Sequence, residues 1–152
     1  MGVKIIQPPA FQRPSGKLYL GNPQNDLVDS AVTRVLIDTI PAEYTDGIEN
    51  GGSSWIIPVV AGYYSIVGQV MFNNVIADKG YESVIKVNTV IVCRNFVHAS
   101  LVLNVAALVC LPCHYVGAGE RIDLFATSYA GVNTVDISSG ETLTFLAVQR
   151  VR

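Results

Sequence analysis

Charge is scarce in this sequence. Only 14% of its 152 residues are Asp, Glu, Lys or Arg, where a soluble domain usually carries about a quarter. The 10 cationic and 12 anionic side chains leave a formal charge of −2, and no segment gathers Lys or Arg into a run. That excludes the electrostatic footprint of phosphate-driven nucleic-acid binding. Cysteine is also sparse: Cys93, Cys110 and Cys113 are an odd set of three, which argues against a disulfide framework and for free, buried, reduced thiols. Long apolar runs are missing too. The stretch from Leu101 to Cys113 is interrupted by Asn104 and Pro112, short of the roughly 18 residues that a membrane-spanning helix requires. The opening Met1-Gly2-Val3-Lys4-Ile5-Ile6-Gln7-Pro8-Pro9 has no secretory apolar region. Ile6 stands where a myristoylation site wants Ser or Thr, and no Asn-x-Ser/Thr sequon occurs. The chain reads as cytosolic in synthesis or already processed.

What is present is apolar. Half of the residues are hydrophobic, more than a surface so poor in charge can cover with polar groups. Burial against copies of itself, rather than in a membrane, is the expected solution. The length suits one domain with a real core. Residues 1–30 differ from the rest: Pro8, Pro9, Pro14, Pro23, Gly16 and Gly21 fix or loosen the backbone and remove ladder donors. This segment reads as an N-terminal arm with short strand-like pieces near Ala10 to Gln12 and Lys17 to Leu20. Its apolar residues Val3, Ile5, Ile6 and Phe11 are candidates to grip a partner by strand addition.

Residues 31–152 read as the body, a succession of strands and turns. Strands are expected over Val32 to Asp38, Trp55 to Val59, Gly62 to Asn73, Ser83 to Arg94, Ser100 to Leu111, Arg121 to Tyr129 and Thr142 to Val151. Pro41 to Ser54 reads as a long loop. No window sustains the i, i+3, i+4 apolar pattern of a helix, and β-branched residues surround Ala106-Ala107. Regular strands without helices point to an all-β antiparallel sandwich, jelly roll or barrel of about 8–10 strands. Leu101 to Leu111 is apolar on both faces, so one face requires a cover outside the core.

Chemistry-bearing motifs are few. Cys110-Leu111-Pro112-Cys113-His114 matches C-x-x-C-H, but it sits in a strand pattern. It therefore lacks the helix start that lowers a thiol pKa, and haem attachment is not expected. A zinc site would need His98 or Cys93 to converge on it; Cys110 facing the core is the plainer reading. Asp38, Glu43, Asp46 and Glu49 share one loop region without EF-hand spacing, so solvation rather than calcium is expected there. Asp123 and Asp136 read as isolated acids, and no acid–base pair stands out. No cofactor and no metal is expected.

Several short stretches, in order, resemble the C1q/tumour-necrosis-factor-like jelly-roll superfamily. The pattern F-t-a-P-x-x-G-x-Y-x-F is echoed by Trp55-Ile56-Ile57-Pro58-Val59-Val60-Ala61-Gly62-Tyr63-Tyr64-Ser65-Ile66. Trp55 stands for Phe and Ile66 for the second aromatic, while Pro58, Gly62 and Tyr64 match. Ala10-Phe11, Val35 to Asp38, Val87-Asn88, Val116 to Ile122 and Thr144 to Val148 resemble further family segments. The core or trimer candidates are Trp55, Pro58, Gly62, Tyr64, Ile66, Phe72, Phe125 and Phe145. The resemblance implies a jelly roll, a homotrimer and no catalysis. Similar domains occur on bacteriophage virions. The chain shows no Gly-X-Y stalk, and with its own arm it fits a virion-surface decoration (cement) protein assembled in the host cytoplasm. Its partners would then be virion proteins such as the major capsid protein, with no nucleic acid and no membrane. A receptor-binding fibre head and a secreted, extracellular C1q-like module are the alternatives. A cupin-type enzyme lacks the histidines it would need, since only His98 and His114 exist.

Overall fold

A computed structural model describes residues 14–40, 48–50 and 54–151. The described residues form strands and loops without a helix: β1 (Ser15–Tyr19), β2 (Thr33–Arg34), β3 (Ile48–Asn50), β4 (Trp55–Pro58), β5 (Gly62–Asn73), β6 (Lys79–Val87), β7 (Val90–Ala99), β8 (Val105–Val116), β9 (Ile122–Tyr129), β10 (Asp136–Ile137) and β11 (Phe145–Arg150). They pair antiparallel in two sheets. The first runs β8–β5–β11–β1, with β10 beside the far end of β5. The second runs β7–β6–β9–β4–β3, with β2 beside the later part of β9. The chain crosses between sheets after β1, β4, β5, β7, β8 and β9, which is the jelly-roll winding.

Alternation drives the packing. In β5, Tyr64, Ile66, Val70 and Phe72 are fully buried, and Ile122, Leu124 and Ala126 of β9 meet them from the other sheet. Phe72 and Tyr81 pack with ring centroids 5.2 Å apart, and the Tyr81 hydroxyl accepts the Ile76 amide at 2.8 Å. The sheets pack tightly at Gly68, where an added Cβ would lie 2.7 Å from Leu124 Cδ1. A side chain there would force the Leu124 side chain to move.

Several sequence boundaries move. The strand expected from Ser83 to Arg94 is two, β6 and β7, reversed at Asn88-Thr89, with Asn88 in the left-handed region at φ 54°. Asparagine accepts that conformation more readily than other non-glycine residues, so the apolar residues on both sides belong to a hairpin. The strand expected from Ser100 to Leu111 starts only at Val105, and residues 100–104 form an exposed connection. β8 then continues to Val116, because Pro112 and Cys113 together oppose Ser65 in a bulge. The bulge absorbs a residue with no amide donor. Of Val32 to Asp38, only Thr33–Arg34 pairs as a strand. The long loop from Pro41 to Ser54 contains β3, hairpinned onto β4 through Ile48↔Pro58.

The second half of the segment read as an arm is built into the sandwich. β1 pairs residue for residue with β11, and Leu18, Leu20 and Leu27 are buried. The strand-like piece at Lys17 to Leu20 corresponds to β1. The piece at Ala10 to Gln12 lies outside the described residues.

Candidate interaction faces

The outward positions of the two sheets carry opposite chemistry. On the first sheet, register sets Tyr63 opposite Tyr115, Val67 opposite Cys110, Gln69 opposite Leu108 and Met71 opposite Ala106. Phe145 and Ala147 of β11 continue the rows beside Gln69 and Val67, followed by Tyr19 and Lys17 of β1. Lys17 is the charged member of these rows. It lies 4.8 Å over the Phe145 ring and 3.3 Å from Glu141. Tyr63, Leu108 and Tyr115 are 45%, 49% and 56% exposed, and the two tyrosine rings meet edge to face at 5.5 Å. This is a broad, nearly neutral and partly aromatic face, the kind of surface that marks an interaction site.

The outward face of the second sheet is a network of ions and rings. Asp123 of β9 is completely buried. Arg121 Nε donates to its Oδ2 at 2.7 Å, and Arg34 Nε lies 3.2 Å from Oδ1 without the alignment of a hydrogen bond. Burial pushes the Asp123 carboxyl above its ordinary range, opposed by the charges of Arg121, Arg34 and Lys86. Arg34 and Arg121 stack on Trp55 at 5.3 and 5.0 Å. Phe125 has Lys86 at 4.2 Å and Arg34 at 5.4 Å. Further along the face, the Tyr129 hydroxyl donates to Glu82 at 3.1 Å, and Arg94 lies 3.9 Å from the same carboxylate.

The residues singled out from sequence thus separate into three places. Tyr64, Ile66 and Phe72 are core, with Pro58 and Gly62 buried at the ends of β4 and β5. The Tyr64 hydroxyl donates to Val60 O at 2.6 Å, and burial raises its pKa against the pull of Arg150. Phe145 lies half-buried on the first face, and Trp55 and Phe125 half-buried on the second. Val3, Ile5, Ile6 and Phe11 lie outside the described residues, as do Glu43 and Asp46 of the acidic loop.

Two readings are corrected. Cys110 does not face the core: its neighbours Val109 and Leu111 take the inward positions, leaving the thiol exposed opposite Val67. The register, fixed by the core partners Gly68 and Ile66, decides this. Asp123 is not isolated but the centre of a cation cluster. Asp136 is likewise engaged, accepting from the Asp26 amide at 2.8 Å and the Asn74 amide side chain at 2.7 Å. The sequence signal for Asp123 was an acid inside an apolar strand with Arg121 two residues earlier, on the same face. The signal for the first face was weaker, because its residues come from four strands distant in sequence.

The three thiols are free but not buried as expected: Cys113 is exposed like Cys110, and half-buried Cys93 donates from Sγ to Cys110 O at 3.5 Å. His114 pairs with Tyr64 on β8, whereas His98 pairs with Gly80 in the other sheet. Among the described residues, no three His, Cys, Asp or Glu side chains converge as a metal site, and no helix is long and apolar enough to cross a membrane.

No protein-family model matches the chain. No curated protein matches it in sequence. Solved structures do match. Murine APRIL, in its crystal structure at pH 5.0, aligns with a TM-score of 0.67 and 15% identity over 92% of this chain and 100% of that one. Eiger TNF from S. frugiperda aligns with a TM-score of 0.69 and 9% identity over 93% of this chain and 94% of that one. With its all-β antiparallel winding, the chain has a tumour-necrosis-factor-like jelly-roll fold.

Proposed function

We propose that the chain is a non-enzymatic, self-associating module that assembles as a homotrimer through the outer face of the β8–β5–β11–β1 sheet. The observation that carries this reading is the nearly uncharged face holding Tyr63, Leu108, Tyr115 and Phe145. Water is an unfavourable neighbour for so much contiguous apolar surface, and a second copy supplies the same chemistry. The family resemblance supports three copies rather than two. Light scattering at micromolar concentration is expected to give three times the 16.3 kDa chain mass. A monomer at that concentration overturns the reading.

The biological setting we propose is the virion surface, where the trimer decorates a capsid and contacts the major capsid protein. Residues before β1, with Val3, Ile5 and Ile6, grip the neighbouring subunit as an added strand. The sequence resemblance and the Pro-rich character of that segment support this. Deletion of Gly2 to Pro9 is expected to leave the trimer intact and to weaken its retention on particles in a density gradient. Full retention of the truncated protein removes the gripping role. A secreted ligand-binding module is the second reading, favoured by the structural likeness to murine APRIL and Eiger TNF. Its mark is saturable attachment to cells with no affinity for particles.

A further inference from the structure

The cluster around Asp123 holds more positive charge than its carboxylate needs. Arg34 and Arg121 place Nε 3.2 and 2.7 Å from the Asp123 carboxylate, and Lys86 lies opposite Asp123 in register, so three of the chain's ten cationic residues gather around one acid. Charge neutralisation of a buried acid requires one partner and good hydrogen bonds; here two cations are in excess.

The geometry leaves donors unused. Both guanidinium groups turn their Nε toward Asp123. Neither makes a further hydrogen bond through its terminal nitrogens among the described residues. Their side chains remain 33% exposed, so those nitrogens are open to solvent. Trp55 stacks on both groups, and Phe125 lies against Arg34 and Lys86. A stacked guanidinium loses little freedom when it binds, and its planar fork matches the oxygens of an anion. The strands fix the spacing: Trp55 and Lys86 flank Asp123 in register, and Arg34 lies opposite Phe125. The nearby acid Glu82 is engaged by Tyr129 and Arg94. Glu120 accepts from Asn88 and from the Gly117 amide.

We propose that Arg34, Arg121 and Lys86, framed by Trp55 and Phe125, form a binding site for one oxyanion group of a ligand, a carboxylate, sulfate or phosphate. The two arginines donate from their terminal nitrogens, and Lys86 adds charge from the next strand. Asp123 acts as the internal counter-ion that holds the arginines upright when the site is empty. The site lies on the sheet opposite the proposed self-association face, so assembly leaves it open.

Trp55 is the only tryptophan of the chain, so intrinsic emission reports on this site. Titration of the full-length protein with sodium sulfate, phosphate or acetate, each against sodium chloride at equal ionic strength, is expected to give a saturable change for at least one oxyanion and none for chloride. A tetrahedral preference shows as sulfate or phosphate binding above acetate, and a planar one as the reverse. Lys86→Gln and Arg121→Gln are expected to weaken the response about tenfold or more, the worth of one charged hydrogen bond. Arg94→Gln, whose cation faces Glu82, leaves it unchanged. Asp123→Asn removes the competing carboxylate and strengthens binding; it also tests the site should Arg121→Gln fail to fold. No saturable change with any oxyanion, or an equal change with chloride, overturns the proposal. Unaltered affinity in both Lys86→Gln and Asp123→Asn does so as well.

Discussion

The two outward faces of this sandwich obey the same alternation and end with opposite surfaces. On the first sheet the outward residues are tyrosines, Leu108, Met71, Val67 and Phe145, with one cation among them. On the second they include Asp123, Lys86, Arg34, Glu82 and Arg94, interleaved with Trp55, Phe125, Ile91, Phe96 and Tyr129. A chain with only 14% charged residues therefore groups several of them around Asp123 on one face and keeps one cation, Lys17, on the other. Charge that is dispersed keeps a monomer soluble; charge that is segregated separates a face meant for burial from one meant for water.

The strongest way to break both faces at once is to remove what they share. Tyr64→Ala is expected to cost about 3–5 kcal/mol by urea denaturation, since the ring is fully buried and its hydroxyl is bonded. Retention of wild-type stability contradicts the register of β5. The contrast between the faces is tested next. Leu108→Glu places a charge on the neutral face and is expected to shift the sedimenting species from trimer toward monomer. Arg94→Ala, on the charged face and 70% exposed, leaves the mass unchanged. Equal behaviour of the two variants erases the distinction.

Smaller effects sharpen the picture within each face. Arg121→Ala leaves the buried Asp123 with poorly aligned partners and is expected to cost about 1–3 kcal/mol. Phe145→Ala, half-buried under Lys17, is expected to cost about 1–2 kcal/mol in the dissociated chain, less than the core Tyr64. The smallest effect is a pH slope. Asp123 has its pKa raised in the folded state, so folding favours its protonated form. The stability it contributes is full below the unfolded value of about 4 and is lost as the pH rises through the folded value. Melting temperatures of wild type and Asp123→Asn, compared across the acidic range, are expected to move in favour of the variant as pH increases. A difference that stays constant with pH removes the burial effect.

Much of the fold was legible because β-structure writes itself locally. Gly62 to Asn73 alternates so regularly that the sequence bounds coincide with β5, and Pro58, Gly62 and Tyr64 mark a strand end, a strand start and a core position. The hairpin at Asn88-Thr89 was hidden because apolar residues continue on both sides of it. The start of β8 was hidden for the same reason: Leu101, Val102 and Leu103 are apolar yet exposed. Hydrophobicity alone does not distinguish a strand from a surface connection.

The sequence by itself determined the all-β class and the absence of a helix pattern. These follow from composition and from a period of two, which any short window displays. Only the tertiary structure decided which side of β8 faces out, since that strand is apolar on both faces. Bulges at Pro112-Cys113 and beside Ile85 shift the register, and a shift of one residue exchanges core for surface along the rest of a strand. Cys110 turned outward because its partner across the ladder is the outward-facing Val67. Strand pairing likewise brings Arg34 and Lys86, distant in sequence, to Asp123, whereas Arg121 stands only two residues before it along the chain.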